Sequence, residues 1–153
     1  RVSPPALYHH FGNRQELLDA VAERAFGMFE RVVRKVEAPE AEGVVRGVLE
    51  AYREFAAAEP HLFGLIFVEP RSSARRFPSD FAGHRSPVFN LLWKAVQEHR
   101  DASADDSLHL AHELWAMAHG HVSLWRAGRF DDDATFQRVL DSSVARLLGP
   151  GRA

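Results

Sequence analysis

Apolar residues recur every three or four positions through almost all of this 153-residue chain, and no segment alternates apolar with polar at period two. A period near 3.6 marks helices that bury one face, whereas period two marks half-buried strands. The chain is therefore expected to be all-α. Breakers set the boundaries. A first long helix is predicted from Arg14 to about Val36, with Leu17, Leu18, Val21, Ala25, Met28, Phe29, Val32 and Val36 on its stripe. At 1.5 Å per residue it is roughly 30 Å long. The acids and breakers of Glu37-Ala38-Pro39-Glu40-Ala41-Glu42-Gly43 read as a loop or helix start.

A second helix follows from about Glu40 or Gly43 to Ala58, and Pro60 can open the next one. His61 to Val68 is apolar almost all round, which suits either central core or the wall of a cavity between helices. Residues 70 to 87 hold three prolines and a glycine, so a long loop with at most one helical turn is expected, with Phe77 and Phe81 turned back onto the core. Helices are then predicted from Pro87 to about Arg100, from about Ala104 to Ala127, and from Asp131–Asp133 to Leu148. With 46% hydrophobic residues, the chain has enough apolar material for one real core.

The absence of cysteine excludes disulfides, thiolate metal ligands and thiol catalysis, and fits a reducing cytoplasm, the expected location. No apolar run approaches the ~20 residues that span a bilayer, and no leader is visible. A net charge of −2 taken alone argues against nucleic acid. Its distribution argues less strongly. Residues 1 to 15 contain Arg1, Arg14, His9 and His10 and no acid, and the first carboxylate is Glu16. An acid-free end on a slightly acidic body can approach phosphates, although chance explains fifteen such residues about as readily.

That end has local organisation. Ser3 is a good N-cap, Pro4 sits where a first-turn N–H is not needed, and Gly12 ends a short helix. Asn13 caps the next helix, and Glu16 completes a capping box. The pattern Val2-Ser3…Leu7-Tyr8-x-His10-Phe11-x-Asn13-Arg14-x-x-Leu17-Leu18 resembles the recognition helix and following helix of the TetR family of transcriptional repressors. The resemblance implies a TetR-like all-α fold: a partial helix-turn-helix head, followed by a helical ligand-binding and dimerisation bundle. It implies that residues 1–36 end a DNA-binding domain and residues 37–153 form the ligand-binding and dimerisation domain. It also implies that two helices preceding the recognition helix are missing from this sequence.

Carried over by position, Pro4, Pro5, Ala6 and His9 face base edges, with Pro5 and Ala6 suited to thymine methyls. Ser3, Tyr8, His10 and Arg14 hold phosphates. Arg14 stands where the family commonly has Lys, and Pro4 and Pro5 stand where it often has basic or polar residues, so the base-reading surface is poor in hydrogen bonds. Further on, Trp115 followed by His119-Gly120 resembles a motif of one TetR C-terminal subfamily, which implies a helix at both a pocket and a dimer interface.

Phe63, Phe67, Phe89, Trp93 and Trp115 are candidates to surround a ligand cavity, with Tyr52 and His119 as polar handles. A filled core is the commoner fate of aromatics at such spacing. His109, His112 and His119 invite a metal reading, but no His-Glu-x-x-His pattern exists, and ordinary helix histidines explain them. No glycine-rich phosphate loop and no Gly-x-Ser-x-Gly motif is present, so neither an enzyme nor a bound cofactor is expected. The expectation is a ligand-responsive homodimeric repressor, with operator DNA and a largely apolar small-molecule effector as partners and no membrane. The alternative is a helical metal-binding protein or enzyme built on the histidine-rich penultimate helix.

Overall fold

The computed structural model describes residues 11–100 and 102–149. Ser3, Pro4, Pro5, Ala6, Tyr8, His9 and His10 lie outside the described residues. Within them are seven helices and no strand: α1 (Arg14–Val33), α2 (Ala41–Ala58), α3 (Pro60–Phe67), α4 (Ser79–Ala82), α5 (Pro87–Arg100), α6 (Ala104–Arg126) and α7 (Asp133–Leu148). The all-α expectation holds.

Three of the long helices, α1, α6 and α7, start where a side chain satisfies a free first-turn donor. Glu16 N–H donates to Asn13 Oδ1 at 2.9 Å. The return bond of the capping box lands one residue earlier than expected, with Gly12 N–H donating to Glu16 Oε2 at 2.8 Å. Ser103 and Asp132 cap α6 and α7 in the same way, by accepting from Asp106 N–H and Thr135 N–H. Such caps are worth about 1 kcal/mol each. Gly128, just past α6, has φ +66°, a left-handed conformation that glycine adopts without strain.

The central helix is α2, which packs against α1, α3, α5, α6 and α7. Val45, Val48, Leu49, Tyr52 and Phe55 bury its inward face. The turn after α1 lies close against it: a Cβ on Gly47 would sit 2.4 Å from Val36 Cγ1, so only glycine fits there without movement.

The structure corrects three boundaries or faces. α1 stops at Val33 rather than Val36, because Lys35 and Val36 donate to Val32 and Val33 carbonyls and tighten the last turn. Its buried stripe is Ala22, Ala25, Phe29 and Val33, with Val21 36% exposed, so the helix is rotated from the expected face. Val68 falls just past the end of α3 and is 57% exposed instead of joining the apolar segment. Among the described residues, no helix is long and apolar enough to cross a membrane.

Candidate functional site

Between α1, α2, α3, α5, α6 and the loop before α5 lies a cavity of about 460 Å³. Volumes of this order hold small ligands. It exists because several helices present aromatic rings to one place. Phe67, at the end of α3, is the hub. Its ring meets Phe26 at 5.7 Å, Phe29 at 5.5 Å and Tyr52 at 4.9 Å between centroids, edge to face in each case. Phe81, from the one-turn α4, closes the opposite side against Phe89 at 4.7 Å and Trp115 at 5.7 Å. Rings that meet edge to face gain about 0.5–1.5 kcal/mol beyond burial, and they hold an open shape that flexible side chains would fill.

Of the seven residues singled out for ligand contact, Tyr52, Phe67, Phe89 and Trp115 line this cavity. Phe63, Trp93 and His119 do not. Phe63 is fully buried and stacks on His119 at 5.9 Å, with the two rings 15° from parallel. The Trp93 indole turns away, donating to Ser107 Oγ at 2.9 Å and stacking on His84. His119 sits one layer back and reaches the cavity only through Tyr52, whose hydroxyl is 2.6 Å from its Nδ1.

That pair has a defined protonation. Burial pushes the Tyr52 phenol above its ordinary value of 10.0, and burial pushes the His119 imidazole below its ordinary 6.5. At neutral pH the phenol therefore keeps its proton and the imidazole is neutral, and the hydrogen bond between them runs in the direction that the imidazole tautomer sets. The polar handle of the cavity is an uncharged hydroxyl held by His119.

Several lining residues were not anticipated from the sequence. Phe26 and Phe29 come from α1, and Arg71, Arg75 and Arg85 come from the loop. The pairing of Phe26 with Phe29 at i, i+3 was a readable sign of a second aromatic face. The loop arginines carry no periodicity, so no pattern placed them. Three of them, with Asp19, Glu23, Ser73 and Asp80, line a second, polar cavity that adjoins the first at Phe26.

The histidines of α6 are engaged separately. His109 Nδ1 lies 2.9 Å from the Asp105 carbonyl, His112 packs on Phe77 with centroids 4.0 Å apart, and His121 Nδ1 lies 2.8 Å from the Met117 carbonyl. Burial, reinforced by the charge of His109, holds His112 below its ordinary value. Among the described residues, no group of three or more His, Asp or Glu side chains converges in a way that would hold a metal ion. Among the described residues, nothing outside its own stretch of helix lies within 4 Å of where a Cβ on Gly120, on the outer side of α6, would sit. Close packing inside the subunit therefore does not account for it.

Residues 45–147 match the family model described as "Tetracyclin repressor-like, C-terminal domain". A solved structure from Rhodococcus sp. RHA1, described as a protein with unknown function, is similar over 99% of this chain and 80% of that one. The two share 26% sequence identity, with a TM-score of 0.68. No curated protein matches the chain.

Proposed function

The chain belongs to the TetR family, through its tetracycline-repressor-like C-terminal domain, and from that premise we propose that it is a ligand-responsive, dimeric DNA-binding repressor. The observation that carries this reading is that one helix, α1, supplies both Phe26 and Phe29 to the wall of the aromatic cavity and Arg14 at its other end. A ligand in the cavity touches α1 directly. The proposed recognition helix, within residues 1–36, precedes Arg14. A change in the tilt of α1 then changes the separation of two recognition helices in a dimer, and half-sites one helical turn apart are no longer both met. The ligand acts only to the extent that it binds the two arrangements unequally, and coupling of this kind is typically about 1–3 kcal/mol.

The dimer is proposed to form through α6 and α7 of each subunit, packed as four helices about a two-fold axis within the domain of residues 37–153. Three features support it: the bare surface at Gly120, Leu124 at 51% exposed on the same helix, and Val139 at 36% exposed on α7. On the DNA, Ser3, Tyr8, His10 and Arg14 are proposed to hold phosphates, while Pro4, Pro5, Ala6 and His9 face bases.

Arg14 is exposed at the first position of α1, where its guanidinium can meet a phosphate. Arg14→Ala in the full-length protein is expected to weaken binding to specific and random DNA alike. It should flatten the slope of log affinity against log salt by about one, as the loss of one phosphate contact requires. Salt titration of operator binding checks this. Unchanged affinity and slope would remove Arg14 from the DNA interface.

A further inference from the structure

We propose that the effector is an apolar anion, an aromatic or acyl body ending in a carboxylate or similar acid, whose charged end is taken by Arg71 and Arg75 beside Phe26. The inference rests on the ligand-binding reading above and adds the chemistry of the ligand.

The decisive group is Arg71. Its side chain is only 6% exposed, yet its partners are uncharged: Nε donates to the Leu65 carbonyl at 3.1 Å, Nη1 to Ser73 Oγ at 3.1 Å and Nη2 to the Ile66 carbonyl at 3.4 Å. A guanidinium has five N–H donors, so two are left over. Among the described residues, its ion-pair partner is Asp19 of α1, at 3.9 Å, beyond hydrogen-bonding range. That carboxylate oxygen already accepts from Ser73 Oγ at 2.6 Å. Arg71 is thus a buried cation with spare donors and loose neutralisation, a state that an incoming anion relieves.

Arg75 adds to it. It is half-buried, has no ion pair among the described residues, and holds its guanidinium 5.0 Å from the centroid of the Phe26 ring; that of Arg71 lies 5.6 Å from the same centroid. Both guanidinium groups therefore stand where the aromatic cavity meets the polar one.

The acids of the lining do not cancel this charge. Glu30 is paired with Arg34, and Glu23 and Glu69 are exposed, where water and salt screen them. Arg85 is already paired with Asp80 at 3.1 Å. The least screened, unneutralised charge at the mouth of the apolar cavity is positive, and the cavity behind it is walled by rings. Charge-assisted bonds from guanidinium to an acid are roughly twice as strong as neutral ones.

The test uses two probes that differ by one acid group, 1-anilinonaphthalene-8-sulfonate and N-phenyl-1-naphthylamine, titrated into the full-length protein by fluorescence. The sulfonate is expected to bind about tenfold more tightly than the neutral amine. Arg75→Gln, which removes no hydrogen bond or ion pair seen among the described residues, should remove most of that margin by weakening the sulfonate far more than the neutral probe. Arg71→Gln should do the same where the variant remains folded by circular dichroism. Equal affinity for both probes, or sulfonate binding that is indifferent to Arg75→Gln, would overturn the anion proposal while leaving a ligand cavity in place. Tighter binding of the cation rhodamine 6G than of the sulfonate would overturn it in favour of the acids. If none of the probes binds, the ligand-binding reading falls with it.

Discussion

Phe63→Ala is expected to lower the stability of the folded chain by about 3–5 kcal/mol, whereas Phe67→Ala, four residues on, should cost about 1–2 kcal/mol. Both rings belong to one helix and one aromatic cluster, so the difference isolates the cavity. Phe63 is fully buried, packed against Tyr52 at 5.1 Å and Phe67 at 5.2 Å, with the Arg126 guanidinium 4.9 Å from its centroid. Its removal leaves a new void in a region with no slack, and interiors packed like crystals relax only in part. Phe67 already faces open space and is only half-buried. Its removal widens a void that exists and loses less contact. Urea unfolding midpoints of the two variants make the comparison. Equal losses would mean that the cavity closes in solution, and the effector site would then have to be sought elsewhere.

Gly120→Glu is expected to leave the isolated subunit folded and to separate the proposed dimer. The position is exposed, a Cβ there meets nothing among the described residues beyond its own stretch of helix, and glycine inside a helix costs about 1 kcal/mol against ordinary residues. The subunit alone therefore gains from the change. In a two-fold interface the substitution appears twice, each copy adding bulk and a charge that the facing helix does not pair. Stranding a buried charge costs about 3–5 kcal/mol, so the dimer dissociation constant should rise at least about a hundredfold. Operator affinity should fall with it, because a dimer gains its affinity by presenting both reading heads at once. Analytical ultracentrifugation of the variant checks the first effect and operator titration the second. An unchanged dimer would take α6 out of the interface.

Particular residues show why some of this was legible in the sequence. Asn13 announces a helix start because a short polar side chain before a stripe has few other uses, and the structure has it as a cap; of the acids Asp131–Asp133, read as the start of the last helix, Asp132 is the cap, whereas the Ser103 cap was not anticipated. Proline 60 and the prolines of residues 70–87 likewise fixed where helices begin and stop. Faces were harder. Val21 and Val139 fit helical stripes by spacing, yet each is 36% exposed, because a peripheral helix buries a strip narrower than its full set of apolar positions. Spacing likewise cannot tell a ring beside a cavity from a ring inside a core. Phe63 and Phe67 share a helix and differ only in what the other helices leave around them. Trp93 is on a regular helix too, but its indole N–H found Ser107, a partner that no local pattern specifies. Arg71 and Arg75 were invisible for a further reason: an aperiodic loop takes its shape from the surfaces it lies on, here α1 and the end of α3.

If this chain is half of a two-fold symmetric, DNA-reading dimer, as proposed, selection of bound DNA from a random pool by the full-length protein will show it. A palindromic site whose half-sites lie about one helical turn apart should be enriched, with the enriched bases rich in thymine where Pro5 and Ala6 would meet methyl groups. Enrichment of a single asymmetric site, or of no sequence at all, would contradict it.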